Sequence, residues 1–125
     1  MFKTLFSVIL FVAYLPLATA SEVVKSAQFE GRSDHVTSGG VSIIVTEGQT
    51  LLVLEEEFSL DGAPDPKIGF GKNGFDSDTL FSKLENKNGA QVYVIPSNID
   101  VSEFNEVYIW CEKFDIPLGV ANFSS

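Results

Sequence analysis

Alternation of side chains with a period of two is the feature that most constrains how this chain folds. Val41, Ile43 and Val45 lie on one side of an extended run, and the residues between them lie on the other. A β-strand has this period, whereas a helix repeats every three to four residues. Glu47-Gly48-Gln49 separates the run from a second β-rich run at residues 50–54. Two such runs joined by a turn that contains glycine predict a β-hairpin.

Similar β-rich runs recur along the chain, with turn-forming residues between them. Residues 67–70, 90–95, 107–111 and 116–123 are rich in β-branched and aromatic side chains, and residues 61–66 have the Gly, Pro and Asp content of a loop. Residues 55–60 mix acidic side chains with Phe58 and Leu60, which is typical of an edge strand. This pattern predicts an all-β fold, an antiparallel β-sandwich of about 7–9 short strands in a single domain at residues 21–125.

The first 20 residues have the features of a signal peptide. Lys3 precedes a nearly unbroken apolar run from Leu5 to Leu17, and Ala18-Thr19-Ala20 provides a small-x-small cleavage pattern. The alternative, an uncleaved anchor helix, is disfavoured because the run falls short of the ~20 apolar residues that span a bilayer. We therefore expect cleavage after Ala20, export to a secreted or periplasmic location, and no stable membrane insertion after cleavage.

Composition excludes several classes of function. The net charge of −9 and the absence of a Lys/Arg stripe argue against nucleic-acid binding. A single Cys and a single His exclude a disulfide framework, a zinc finger and a blue-copper site, so no metal ligand set is predicted. Gly69 to Gly74 spells G-x-G-x-x-G, but no helix-forming segment follows it, and the motif is interpreted as a turn rather than a nucleotide site.

His35 is the only imidazole in the chain, and it lies close to polar neighbours. Asp34, Ser33 and Ser38 suggest a hydrolase triad, but sequence neighbours on a strand point in different directions and no nucleophile elbow is present. A hydrogen-bonded histidine without a catalytic role is therefore the simpler interpretation. A redox or metal role, including haem ligation, stays open for His35.

Cys111 is the only thiol. The two-residue period places Cys111 on the side of its strand shared by Val107 and Ile109, with Tyr108 and Trp110 on the opposite side. This placement favours a buried, inert residue. A lone thiol in an oxidising compartment can also be kept for redox or metal chemistry, or for an intermolecular disulfide. The residues by themselves leave these alternatives open.

An ordered set of residues from about Ala27 to Phe123 resembles the DM-thirteen domain, the β-rich electron-transfer module found in Skeletor-type extracellular proteins. The most specific block is Ile109-Trp110-Cys111-Glu112-Lys113-Phe114. The other matching positions are Gly31, His35, Ser38-Gly39, Val41, Leu52-Val53-Leu54, Phe58, Gly62-Ala63-Pro64-Asp65, residues 89–96, residues 105–108 and residues 117–121.

The resemblance implies that Cys111 is the redox residue, with His35 as a second site residue. Unlike larger members, this chain has one copy of the domain and no attached haem- or sugar-binding domain. Any electron partner is then a separate redox protein, and an autonomous enzyme activity is not expected. The cofactor, including haem or a metal, and the oligomeric state stay undetermined. The alternative function is a non-catalytic extracellular interaction or structural module in which Cys111 is buried.

Overall fold

A computed structural model describes residues 21–123, and these residues form an all-β fold with two short 3-10 helices at Ser77–Thr79 and Val101–Glu103. The strands are β1 (Glu22–Gly31), β2 (Thr37–Ser38), β3 (Gly40–Thr46), β4 (Gln49–Leu54), β5 (Ser59–Leu60), β6 (Pro66–Gly71), β7 (Phe75–Asp76), β8 (Ser82–Lys83), β9 (Gln91–Val94), β10 (Glu106–Cys111) and β11 (Ile116–Asn122). The predicted signal peptide, residues 1–20, lies outside the described residues.

All strand pairs are antiparallel, and β1 belongs to two sheets. Residues 22–28 of β1 pair with β3, and the first sheet continues through β4 to β9. Residues 29–31 of β1 pair with β11, and the second sheet continues through β10 and β6 to β7, with β8 also on β6. The predicted all-β, antiparallel, single-domain fold is confirmed, and because β1 is shared, the two sheets form one continuous path of strands from β7 to β9 that curls around a core.

The predicted hairpin is the β3–β4 pair. Its register brings Thr46 opposite Gln49, which leaves Glu47 and Gly48 as a two-residue turn. Both turn residues have positive φ, +46° and +76°. Two consecutive positive φ values are those of a type I′ turn, whose twist matches that of the flanking strands.

The core lies between the two sheets and follows the alternation in the sequence. Val41 and Ile43 of β3 and Leu52 and Leu54 of β4 are fully buried, whereas Leu51 and Val53, which alternate with the two leucines on β4, are only half-buried. The second sheet contributes Ile68, Val107, Ile109, Cys111 and Leu118, all fully buried. The side of each strand that faces the core was therefore predictable from the two-residue period.

Two segments depart from the sequence-based expectation. The expected edge strand at residues 55–60 is a strand only at Ser59–Leu60, because the Phe58 backbone N–H bonds to the Glu55 carbonyl and turns the chain. That turn places the Phe58 ring in the core, where 1% of the residue is exposed. The long strand β1 was not anticipated, because its sequence lacks a regular alternation and its strand conformation depends on pairing with β3 and β11.

Within residues 21–123 there is no helix with the length and hydropathy needed to span a bilayer.

Adjacent leucines on β4 provide a matched test of the fold. Leu52 is 0% exposed, whereas Leu51 lies on the outer side and is half-buried. We expect Leu52→Ala to lower the free energy of unfolding by about 2–5 kcal/mol, because it leaves a cavity in the core. Leu51→Ala should cost about 1 kcal/mol or less, because less apolar area is lost. Urea unfolding of both variants measures the difference, and equal losses would contradict the assignment of the core side.

Candidate functional site

The Cys111 thiol is buried at the end of β10. Cys111 pairs with Pro66 of β6 on one side and with Ile116 of β11 on the other, and the residue is 0% exposed. The thiol donates a hydrogen bond to the backbone carbonyl of Pro64, with a sulfur–oxygen distance of 3.1 Å. The predicted burial of Cys111 with Val107 and Ile109 is therefore observed, and within residues 21–123 its polar contact is with a loop.

That loop, which we call the thiol loop, consists of residues 61–65. Its shape depends on unusual backbone angles, since Gly62 has a φ of +121° and Asp65 a φ of +55°. Ala63 packs against the core, while Pro64 is exposed to solvent. Pro64, whose carbonyl contacts the sulfur, thus lies at the surface. It is the residue that separates the thiol from solvent on this side.

The His35 side chain forms a hydrogen bond with Asp61, the first residue of the thiol loop. Its Nδ1 atom lies 2.9 Å from Oδ1 of Asp61, and the other carboxylate oxygen accepts a 2.9 Å hydrogen bond from the Val36 backbone N–H. The Asp61 N–H in turn bonds to the Val36 carbonyl at 3.0 Å. The bond from Val36 and, next, the bond from His35 lower the pKa of Asp61 below its ordinary value. These contacts hold the start of the thiol loop against the turn that follows β1.

The two candidate residues therefore contact the same loop at different atoms. His35 binds the Asp61 side chain, and Cys111 binds the Pro64 carbonyl. Asp61 is separated from His35 by 26 positions in the sequence, and Pro64 from Cys111 by 47. The sequence identified residues 61–66 as a loop from their types but gave no signal for either contact. Asp34, the acid that the triad hypothesis assigned to His35, is not its partner, because the carboxylate at Nδ1 is that of Asp61.

Trp110 lies on the opposite side of β10 from the thiol, as the alternation predicts. Its ring stacks on Phe75, with 3.7 Å between centroids and 9° between planes, and Nε1 donates to Oδ1 of Asp115 at 3.2 Å. Tyr108 packs edge-on against both rings. Burial, followed by the charge of Glu106, raises the pKa of Tyr108. This aromatic cluster covers the outer side of the second sheet and does not shield the sulfur.

The donor atoms around Cys111 do not fit a haem or metal ligand set. A 0% exposed thiol that donates to Pro64 has no open side for a metal or a porphyrin. Among residues 21–123, no group of three His, Cys, Asp or Glu side chains is arranged to hold a metal ion. In the G-x-G-x-x-G segment, Gly69 to Gly71 are the last residues of β6, and only residues 72–74 form the turn that follows, in which the Lys72 N–H bonds to the Gly74 carbonyl at 3.0 Å.

The Asp61 carboxylate predicts a pH dependence of stability. The folded-state pKa of Asp61 lies below the unfolded-state value, so its stabilisation is present above pH 3.8 and is lost as pH falls through the folded pKa. Asp61→Asn should remove this part of the acid-induced decrease in melting temperature. Thermal unfolding between about pH 6 and pH 2 measures it. Asp34→Asn, at the exposed carboxylate next to His35, is the control, and an identical pH profile for both variants would contradict the assignment.

Comparison with known proteins assigns the family. The family model described as Electron transfer DM13 matches residues 28–123, which include β2 to β11, the thiol loop, His35 and Cys111. No curated protein and no solved structure matches the chain. The match covers more than half of the sequence and agrees with the resemblance carried by the Ile-Trp-Cys block and the blocks around it. The chain therefore belongs to the electron-transfer DM13 family.

Proposed function

We propose that this protein is exported and acts as an electron-transfer module for a separate redox protein, with Cys111 as its redox residue. The observation that carries the proposal is the position of the thiol inside a domain of an electron-transfer family. Cys111 is the only residue in the chain with a thiol that can cycle between reduced and oxidised forms. Export rests on the signal-peptide pattern of residues 1–20.

Burial of the sulfur restricts the kind of redox chemistry that Cys111 can perform. Thiol–disulfide exchange requires a thiolate to attack another sulfur in direct contact, and a fully buried thiol that donates to a carbonyl cannot meet that requirement. One-electron exchange with a partner docked over the thiol loop needs no atomic contact with the sulfur. In this step a one-electron acceptor on the partner, with a reduction potential above that of the thiyl radical/thiol couple, gains one electron. Cys111 loses that electron, and the thiol proton passes to solvent water. A one-electron donor and a proton from water restore the thiol.

His35 is proposed as a positioning residue. It contacts Asp61 rather than the sulfur, so its effect on Cys111 passes through the thiol loop. The loop carbonyl at Pro64 receives the thiol hydrogen bond, and a displaced loop would weaken this bond and admit water. His35→Ala should therefore increase the reaction rate of folded Cys111 with a thiol reagent, whereas His35→Gln should restore slow labelling if its amide bonds to Asp61.

The second candidate function is an extracellular interaction or structural module in which Cys111 is part of the core. The full burial of the sulfur and its satisfied hydrogen bond favour this function, because both describe a stably packed small side chain. The two functions differ in one measurable property, which is whether Cys111 exchanges an electron while the protein remains folded.

Cys111→Ser is the variant that tests electron exchange. A serine hydroxyl is close in size to the thiol and can donate to the Pro64 carbonyl, so we expect a loss of only about 1–2 kcal/mol in stability. Photo-oxidised ruthenium tris-bipyridine serves as the one-electron acceptor. Electron paramagnetic resonance of freeze-quenched samples, which needs no contact with the sulfur, should then detect a sulfur-centred radical in the wild-type protein and none in Cys111→Ser.

The residue that carries the radical separates the two functions, and thiol labelling tests the burial on which the mechanism depends. If the radical of the wild-type protein resides on Trp110 or Tyr108 and is unchanged in Cys111→Ser, the proposed role of Cys111 is wrong and the structural module is favoured. Iodoacetamide should label Cys111 slowly in the folded protein and rapidly after denaturation. Rapid labelling at neutral pH would contradict the buried-thiol mechanism. An absorbance spectrum of protein purified from its natural host would reveal a bound haem or metal centre.

A further inference from the structure

The outer side of the first sheet carries a continuous group of aliphatic side chains. The strand register places Val23, Ile44, Leu51 and Val94 side by side in one row across β1, β3, β4 and β9. Val53 and Val92 are paired in the adjacent row. Paired residues in antiparallel strands project from the same side of a sheet. We call these six residues the aliphatic face.

The aliphatic face points away from the core. Val23, Val92 and Val94 are 57%, 62% and 58% exposed, and none of the six residues belongs to the buried core or packs against it. An antiparallel sheet with one solvated side normally carries polar residues there. A contiguous exposed apolar patch of this kind marks a surface that binds another molecule.

An acidic cleft adjoins the aliphatic face. The cleft has a volume of about 530 Å³, and its lining includes Gln28, Gly40, Ser42, Glu55 and Glu57. The Ser42 hydroxyl donates to Glu55 at 2.8 Å and fixes that carboxylate. Gly40 keeps the cleft open, because a Cβ there would lie 3.0 Å from Gln28 Nε2 and from Glu55 Cγ, and 3.3 Å from Glu57 Oε1. Ser42 is paired with Val53, so cleft and aliphatic face share one side of the sheet.

Charge determines which occupant fits this surface. In β1, β3, β4 and β9 the one cationic side chain is Lys25, and its Nζ already donates to the carbonyls of Val101 and Phe104 at 2.8 and 2.7 Å. A second copy of this chain would bring another net charge of −9 against the cleft. Like charges across an interface are unfavourable, whereas a basic surface would be attracted to it.

We propose that the outer side of the first sheet is a docking surface for a basic protein segment, whose aliphatic side chains cover the aliphatic face while a Lys or Arg enters the acidic cleft. Cys111 and the thiol loop belong to the second sheet and its connections. The docking surface is therefore independent of the proposed electron exchange, and it would serve either candidate function.

The probe is a synthetic ten-residue peptide of alternating Lys and Val, compared with one of alternating Glu and Val. Nuclear magnetic resonance titration of the ¹⁵N-labelled protein gives both the affinity and the residues that respond. We expect the Lys-Val peptide to shift the amides of β4, β9 and Glu55 to Glu57, with weaker binding at higher salt. The Glu-Val peptide should bind at least tenfold more weakly.

Variants at exposed positions test the surface without disturbing the core. The double substitution Val92→Asp and Val94→Asp should weaken Lys-Val binding at least tenfold if the aliphatic face is covered, since burial of the two valine side chains no longer contributes to binding. Phe114→Asp is the matched control, because Phe114 is 60% exposed in the β10–β11 turn of the other sheet. Glu57→Gln should weaken binding severalfold and reduce its salt dependence, with the exposed Glu103→Gln as its control.

Several outcomes would overturn the proposal. These are equal binding of the two peptides, shifts that map outside the first sheet, and an equal effect of Phe114→Asp and the valine double substitution. Concentration-dependent dimerisation abolished by the Val92 and Val94 substitutions would show that a second copy occupies the face instead. None of these results bears on radical formation at Cys111, so failure here is distinguishable from failure of the electron-transfer proposal.

Discussion

The pairing of β1 with two different strands is the constraint on which the rest of this structure depends. Residues 22–28 hydrogen-bond to β3 and residues 29–31 to β11, so one strand connects both sheets. Close packing at the junction requires glycine, because a Cβ on Gly119 would lie 2.7 Å from the Thr37 side chain. The Thr37 hydroxyl donates to the Leu118 carbonyl at 2.8 Å across this junction. Because both sheets meet here, the position of His35, a few residues after β1, is fixed relative to β11 and β10.

The chemistry available to Cys111 follows from that arrangement. Since β10 lies between β6 and β11, the inward side of its last residue is enclosed by neighbours, and the thiol loop supplies the remaining contact. Burial excludes thiol–disulfide exchange, which needs direct contact with the sulfur. The sulfur nevertheless lies against Pro64, which is exposed to solvent. The redox role that we propose for Cys111 therefore requires that electrons pass without a covalent intermediate between proteins.

The molecule presents different surfaces on its two sheets. The second sheet carries the stacked Trp110 and Phe75 rings on its outer side, and Cys111 on its inner side. The first sheet carries exposed aliphatic side chains beside the Glu55 and Glu57 carboxylates. Because these surfaces lie on different sheets, the two partners that we propose, a basic segment on the first sheet and a redox protein at the thiol loop, would not compete for one site.

The sequence by itself determined the all-β class, the β3–β4 hairpin, the loop at residues 61–66 and the buried side of Cys111, because each depends on residue types and spacing within about ten positions. The family assignment also came from ordered sequence blocks. Only the tertiary structure decided that β1 joins two sheets, that residues 55–58 turn rather than extend, and that Asp61 holds His35 while Pro64 contacts the thiol. These features either connect residues that are far apart in the chain or depend on a strand without regular alternation. A local pattern of side chains does not specify which distant segment a strand or loop will contact, so the sequence alone could not predict them.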